Sequence, residues 1–575
     1  MNNIIFLIFR RMRAPLIVLV VVYAVAVLGL VLTPGRDANG DPWHMDFFHA
    51  VYFISYTSTT IGFGELPHTF TGAQRLWVMV SIYLTVIAWI YSIGTLIALL
   101  QDPTFKQALV ERRFTYRVSR MRYGFYLVCG YGETGSLLVR ALAERHLHAV
   151  VIDIDPERIN LLHLENLREY VPGLCADASI PHHLVEAGLK HKRCLGVVAL
   201  TNVNEVNLQI AITTKLLHPK LKVICRADSH DVEANMASFG TDLIIDPFDT
   251  FALHLATALQ TPGVYLLQQW VTGIEHQLLP DPIYPPRGRW VVCGYGRFGK
   301  AVHARLDEMG LETVVVEATP EITGTPEKGC VEGRGTEAVT LEEAGIRQAA
   351  GLVAGTDNDA NNLSIIMTAR QLNPRLFVVL RQNLEHNQEI VDAVGADVLM
   401  HPSTIIANRI RVLLTVPLLY EFVGKATEQA DDWACQLVSR IVALTDEEAP
   451  EVWEVRIDKE QAAAVTKAIN SGDMMRIMDI LRDPLARNRQ LPAIALLLKR
   501  DYRSVMQPDE ETVLRTGDRL LLCGRYSARP RIEWTLQNER TLGYVRTGST
   551  APEGAVWRFL RKWARTGNDE TTAGG

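Results

Sequence analysis

Two glycine clusters, each at the end of an apolar run, are the stretches of this chain best suited to holding a charged ligand. Residues 126–135 read YLVCGYGETG and residues 290–299 read WVVCGYGRFG. Each carries Gly-x-Gly-x-x-Gly: Gly130, Gly132 and Gly135 in the first, Gly294, Gly296 and Gly299 in the second. In such a loop the first glycine makes a tight turn, the second admits a pyrophosphate, and the third lets a helix pack on a strand. Only the middle position needs a ligand. The next apolar run of each copy ends in an acid, Asp153 and Glu317, placed to bond a ribose hydroxyl. The copies differ where the helix begins. Glu133 in the first opposes a phosphate, whereas Arg297 in the second adds to the attraction of the helix N-terminus. An adenine nucleotide, NAD/NADH or ADP/ATP, is therefore expected in the second copy before the first.

A different chemistry is written in YTSTTIGFGELP, residues 56–67. It lies between two oily segments, where non-helical backbone is tolerated only if protein buries it or water reaches it. Gly62 and Gly64 reach backbone angles that other residues resist. Alternating them with ordinary residues turns successive carbonyls from Thr60, Ile61, Gly62, Phe63 and Gly64 toward one axis. A row of carbonyls can replace the water around a dehydrated cation.

Other candidate ligands are weaker. Asn204, Glu205 and Asp228 make a partial oxygen set for calcium, but Arg226 stands among them, and hard cations tolerate few positive neighbours. His182–His183 and His146/His148 invite zinc without a matched third ligand, as solvated loop histidines also would. The 8 cysteines are scattered with no Cys-x-x-Cys, which suits a reducing compartment. A net charge of −6 gives no reason to expect nucleic acid.

These residues need elements to position them. At 575 residues several domains are expected, and a 48% hydrophobic content points to a part in a bilayer. Residues 16–32 and 76–100 are apolar enough to span about 30 Å of hydrocarbon. The first is read as a retained span rather than a cleaved signal. Trp77 suits an interface aromatic. Arg10, Arg11 and Arg13 precede the first span, and Lys106, Arg112, Arg113, Arg117, Arg120 and Arg122 follow the second, so both ends are expected in the cytoplasm. Between them, residues 46–60 are apolar but too short to cross, as a re-entrant half-helix is, with Asp46 as its N-cap. One row of carbonyls per chain cannot enclose an ion, so several chains closed around an axis are implied. Gly94 is a hinge candidate in the second span.

Beyond residue 123 one unit is written twice. Residues 196–227 (GVVALTNVNEVNLQIAITTKLLHPKLKVICRA) match 351–382 (GLVAGTDNDANNLSIIMTARQLNPRLFVVLRQ), and FGTDLIIDP at 239–247 matches VGADVLMHP at 394–402. Strands alternating with helices at this spacing mean a parallel doubly wound sheet, built twice.

Thr57-x-x-Thr60-Ile61-Gly62-Phe63-Gly64 resembles the potassium-channel signature, with Phe63 for the commoner Tyr and Glu65 where Asp is usual. The repeats resemble RCK (TrkA-N, KTN) domains through their glycine fingerprints, ADAS at 176–179, EAGL and EAGI at 186–189 and 343–346, TNVNEVN at 201–207 and TDNDANN at 356–362. The second copy places Arg334 where Asp177 stands in the first, either a further phosphate contact or a lost site. Thr201 and Thr356 open the last-named signatures and join the candidate cofactor-binding residues. Residues 491–524 resemble the C-terminal RCK lobe, present once.

The resemblance covers nearly the whole chain. It implies a membrane α-helical pore module of two transmembrane helices, pore helix and filter, followed by α/β: two Rossmann-like RCK domains and a small α+β lobe. The boundaries expected are 1–101 pore, 102–123 gating linker, 124–286 and 287–403 RCK domains, 404–546 crossover helix and lobe, and 547–575 a disordered tail. In such a family the hinge glycine lies nearer the filter, at about Leu84. The function implied is a homotetrameric channel of the cell inner membrane, with K+ as permeant ion and an eight-domain cytoplasmic ring gated by nucleotide, with a divalent cation such as Ca2+ a further possibility. A nucleotide-regulated potassium transporter subunit would have many more spans. A membrane-tethered NAD-dependent oxidoreductase would need a substrate domain that the sequence does not offer.

Overall fold

The computed structural model describes residues 2–64, 67–228, 230–273, 283–445 and 448–548. Glu65 and the tail from residue 549 lie outside them. The described chain divides into two compact units, one almost entirely residues 1–122 and the other essentially residues 123 onward.

The first unit is helical. α1 (Asn2–Leu32) and α3 (Gly72–Gln101) pack side by side, and α2 (Phe47–Ser58) lies against both. Residues 10–32 and 72–101 are long and apolar enough to cross a membrane. Close packing is possible because Gly29 has no side chain: a Cβ there would fall 2.0 Å from the Trp77 ring. Trp77 Nε1 donates to the Ala26 carbonyl at 3.0 Å. Trp77, expected to mark a lipid interface, is thus a contact between α1 and α3. Asp46 caps α2 by accepting from His49 N at 2.8 Å, and Thr71 with Gln74 forms a capping box on α3. A short ribbon, β1 (Gly35–Arg36) and β2 (Pro42–Trp43), joins α1 to α2, and α4 (Pro103–Ser119) follows α3.

The second unit contains two parallel six-stranded sheets of identical order. In the first, β3 (Phe125–Cys129), β4 (His148–Asp153), β5 (Gly173–Cys175), β6 (Cys194–Ala199), β7 (Lys222–Arg226) and β8 (Leu243–Ile245) lie as β5-β4-β3-β6-β7-β8. In the second, β9 (Trp290–Cys293), β10 (Thr313–Glu317), β11 (Cys330–Glu332), β12 (Gly351–Ala354), β13 (Phe377–Arg381) and β14 (Val398–Met400) lie as β11-β10-β9-β12-β13-β14. This is the doubly wound Rossmann order. The central strands are apolar runs because helices cover both faces of the sheet.

Helices at the ends of the repeats are exchanged. α5 (Glu133–Glu144) follows the first glycine loop, and α6 (Asn204–Leu217) follows β6. The first repeat ends in the hairpin of α7 (Pro247–Gln260) and α8 (Pro262–Thr272), and α7 packs on α9 (Arg297–Glu308) of the second repeat. The second repeat continues through α10 (Asp359–Leu372) to the hairpin of α11 (Pro402–Thr415) and α12 (Pro417–Ala426), and α11 packs back on α5. Phe248, Phe251 and Leu255 accordingly belong to the core of the second sheet, and Ile406, Ala407 and Ile410 to that of the first. Neither repeat completes its core alone.

α13 (Asp431–Thr445) leads into one antiparallel sheet of β15 (Glu451–Arg456), β16 (Ala493–Arg500), β17 (Arg503–Met506) and β18 (Arg519–Gly524), ordered β15-β18-β16-β17. The turn into β18 is fixed by buried Asp518, which accepts from Arg500 Nε at 2.8 Å and Arg515 N at 2.8 Å.

Candidate functional site

The segment after α2 leaves the helix in an unusual way. Thr60, Gly62 and Gly64 have φ of +62°, +64° and +74°. Left-handed backbone costs little at glycine but is an outlier at a β-branched threonine. Every second residue is thus left-handed, the alternation needed to turn consecutive carbonyls to one side. The amides of Ile61 and Gly62 fold back on the Tyr56 carbonyl at 3.0 and 3.2 Å. Among the described residues no hydrogen bond is donated to the carbonyl oxygens of 60–64. Ile61 and Phe63 are exposed, and the Phe63 ring meets Tyr56 edge-on at 6.0 Å.

A hydrogen-bond chain not foreseen from the sequence holds this segment's helix. Trp89 Nε1 donates to the Tyr23 hydroxyl at 2.6 Å, Tyr23 bonds to Ser58 Oγ, and Ser58 Oγ reaches the Ile54 carbonyl at 2.6 Å. It joins α3, α1 and the last turn of α2. The signal was three polar groups in otherwise apolar helices, visible only once their faces are known. Gly94 sits in unbroken helix, and a Cβ there would meet nothing within 4 Å, so contacts within the chain do not require glycine.

The two glycine loops have the geometry expected of them. Gly130 and Gly294 have φ of +103° and +95°. A Cβ at Gly135 would lie 2.0 Å from the Gly130 oxygen, and one at Gly299 would lie 1.8 Å from the Gly294 oxygen. The middle glycines are unencumbered: nothing lies within 4 Å of a Cβ at Gly296, and at Gly132 the nearest atom is Arg158 Nη1 at 3.5 Å. These residues fit a nucleotide's pyrophosphate. The strand-end acids are occupied by their own loops. Asp153 accepts from Tyr131 N and Asp155 N, and Glu317 from Tyr295 N and Thr319 N. Both are buried. A ribose would have to share them.

The residues at the helix starts reach across to the opposite repeat. Arg297 Nη1 pairs with Asp228 Oδ2 at 2.9 Å, and its guanidinium lies 5.4 Å from the Phe248 ring centre. The expectation that Arg297 is free for phosphate thus meets a carboxylate already in place. Glu133 mirrors it: it accepts from Glu385 N at 3.2 Å and lies 3.9 Å from His401 Nε2. The cation at the first loop is Arg158, 3.5 Å from Asp153 and missed in the sequence because it sits on the helix after β4; Ile322 holds the corresponding place in the second repeat. Arg381, at the end of β13, stacks over Phe248 and Phe298, and burial pushes its guanidinium down to about 10 despite Asp357. Arg334 is exposed, and Asp177 accepts from Ser179 N at 2.8 Å.

The shared Thr-to-Asn signatures form clasps. Asn207 Oδ1 accepts from Thr201 N and Oγ1 at 3.0 and 2.8 Å while Nδ2 donates to the Thr201 and Arg226 carbonyls at 2.9 and 3.1 Å. Asn362 repeats this with Thr356 and Arg381. Thr201 and Thr356 therefore tie strand ends together beside the glycine loops. Asp359, where the first repeat has Asn204, is buried; four hydrogen bonds from Asn383, Leu384 and Asn387 outweigh that burial and hold its carboxyl below the ordinary range.

The metal candidates do not assemble. Asp228 is held by Arg226 Nε at 2.9 Å as well as by Arg297, and Arg226 also bonds Asn202, so two guanidiniums stand where calcium would need oxygens. His146 and His148 share Glu169, and His183 bonds the Asp177 carbonyl. Among the described residues no group of three His, Cys, Asp or Glu converges to hold zinc or calcium.

Comparison with known proteins follows the same division. Residues 16–102 match the ion channel family, and 126–247 and 290–402 match the TrkA-N domain. Potassium channel protein 1 of Methanocaldococcus jannaschii is 25% identical over 223 residues, 38% of this chain and 64% of its own length. Probable potassium channel protein 2 of the same organism is 22% identical, over 38% of this chain and 63% of its length. The chain thus spans a little under two thirds of each relative. Among solved structures, the GsuK channel bound to NAD aligns over 94% of this chain and all of its own, at 16% identity and a TM-score of 0.46.

Proposed function

We propose that this chain, in which an ion-channel domain is joined to two TrkA-N domains, is one subunit of a homotetrameric potassium-selective channel. The observation that carries the reading is the left-handed alternation at Thr60, Gly62 and Gly64, with carbonyls that accept no hydrogen bond among the described residues. Strain in a threonine backbone persists only where its surroundings enforce it, and such strain gathers at functional sites. Carbonyls with no donor among the described residues suit a cation as partner. Four chains close the cage, with both termini in the cytoplasm, the TrkA-N domains as an eight-domain ring, and the pore in the cell inner membrane. The test is reversal potential under opposed K+ and Na+ in reconstituted bilayers. Potassium selectivity that disappears in Gly62→Ala supports the proposal; equal passage of sodium by the wild type overturns it. At Gly62 an added Cβ would meet nothing, so only the φ of +64° makes alanine costly.

The ring is the gate's controller, and an adenine nucleotide (NAD/NADH or ADP/ATP) is its ligand. Gly296 leaves room for a pyrophosphate, and Arg297 beside it is held by Asp228 of the first repeat. A phosphate would compete for that guanidinium, so binding in the second repeat weakens a contact between the repeats. At the first loop Arg158 is the cation within reach. Moving a pore from 1:99 to 99:1 open takes about 5.5 kcal/mol of differential binding, or about 1.4 kcal/mol at each of four sites. The force passes through residues 102–123 to the second span, where Gly94 is the bending point. Potassium flux from liposomes with NAD, NADH, ADP, ATP and calcium added singly identifies the ligand and the sign of its action.

A further inference from the structure

Between the two exchanged hairpins lies a cavity of about 700 Å³, with no glycine-loop residue among its described lining residues. Its volume is in the range of small-molecule sites. α7 and α8 supply one wall, α11 and α12 the other, and corresponding residues of the repeats face it in pairs: His254 with Arg409, Tyr265 with Tyr420, Thr272 with Thr427. One such pair is sharply unequal in size. Gln269 of the first hairpin corresponds to Gly424 of the second, and a Cβ at Gly424 would meet nothing within 4 Å. The space is therefore built in by a missing side chain.

The charge in the cavity is equally lopsided. Among the described lining residues Arg409 is the one that is permanently charged. It donates to Thr250 Oγ1 at 2.7 Å and to the Tyr420 hydroxyl at 3.4 Å, and among the described residues no carboxylate pairs with it. Its partner across the pseudo-symmetry, His254, is kept neutral by burial and by the Arg409 charge, which push its pKa down to about 4. The walls add apolar surface from Leu253, Ile405, Val412 and Val423 and the two tyrosine rings. A partly desolvated guanidinium without a counter-ion calls for an anion, and burying a charge is costly unless it is paired.

We propose that this cavity binds a small organic monoanion with an apolar or aromatic body, its carboxylate or sulfonate on Arg409 and its body between the hairpins. Because the walls belong to different repeats, an occupant fixes the angle between them. This assignment does not depend on what the glycine loops bind or on whether the pore conducts.

The test is equilibrium dialysis of 2-naphthoate against the full chain in nanodiscs, with empty nanodiscs as the blank. One naphthoate per chain is expected, with affinity at least tenfold lower in Arg409→Gln and no measurable binding in Gly424→Phe, whose ring fills the cavity. The isosteric cation 2-naphthylmethylammonium should not bind. Melting temperatures of the variants report folding; if Arg409→Gln does not fold, Gly424→Phe and the cation decide. Failure of the wild type to bind naphthoate, binding undiminished in Gly424→Phe, or equal uptake of the cation overturns the proposal.

Discussion

The two Rossmann repeats have the same strand order, the same glycine turns and the same threonine–asparagine clasps, yet they differ at several of the positions that reach out of their own repeat. Glu133 faces the second repeat where Arg297 faces the first; Arg158 overhangs its loop where Ile322 is solvent-exposed; His254 is neutral where Arg409 is charged. Residues that close a fold are duplicated because both copies must satisfy the same backbone. Residues that meet a neighbour diverge because a single chain needs only one of each complementary pair.

If that division is right, the largest effects come from positions the copies share. Gly299→Ala would place a methyl 1.8 Å from the Gly294 oxygen, a backbone clash no rotamer relieves. It is expected to cost more than about 4 kcal/mol, and Gly135→Ala to do the same in the first repeat. Gly296→Ala, with an empty surrounding, is expected to shift stability by less than about 0.5 kcal/mol while abolishing nucleotide binding. Denaturant titration with parallel calorimetry separates these outcomes. Equal destabilisation by Gly296→Ala would remove the distinction between packing glycines and ligand glycines.

The next effect tests a position where the repeats differ. His254 has its pKa lowered to about 4 in the folded chain, against an ordinary value near 6.5. The unfolded state therefore binds the extra proton first as pH falls. Stability from this group is complete above about pH 6.5 and is lost progressively toward pH 4, by up to about 3 kcal/mol. His254→Gln is expected to flatten melting temperature against pH over that window, whereas Arg409→Gln, which removes the neighbouring charge and so raises the His254 pKa, should make the fall smaller and end it at a higher pH.

The asparagine clasps come third. Asn207→Ala and Asn362→Ala each strip hydrogen bonds from buried strand-end groups, and each is expected to cost about 2 kcal/mol. Similar losses in the two repeats sharpen the view that this signature is structural. A loss confined to nucleotide affinity would make it a ligand contact instead.

How legible all this was in the sequence follows the same line. The two parallel doubly wound sheets, the glycine turns and the half-helix capped by Asp46 could be read because local spacing dictates them. The left-handed alternation was readable at Gly62 and Gly64 and extends to Thr60, which composition would not have suggested. The exchange of α7 and α11 between repeats was not readable from periodicity, since an amphipathic helix does not record which sheet it covers; only the family resemblance, through the crossover helix expected from residue 404, pointed to it. Arg297 was read as a phosphate ligand for the same reason: its partner Asp228 lies in the other repeat, and long-range pairing leaves no periodic trace. The Trp89–Tyr23–Ser58 chain was missed because it joins three helices.

The ion pair between the repeats has a small stability effect and is the most informative about coupling. Arg297 is 55% exposed and Asp228 6%, so water screens the pair and Arg297→Gln should cost no more than about 1 kcal/mol. Asp228 keeps Arg226 at 2.9 Å and is not left alone. Asp228→Asn, by contrast, releases Arg297 toward the glycine loop beside it. In calorimetry it is expected to raise the second repeat's affinity for ADP severalfold, while Arg297→Gln lowers it and Glu133→Gln, whose contacts lie on the other side of the interface, leaves it unchanged. Opposite signs from the two ends of one ion pair can arise only if phosphate and Asp228 compete for the same guanidinium. Matching losses from both would mean that the pair simply holds the repeats together, and the asymmetry between Glu133 and Arg297 would carry no regulatory weight.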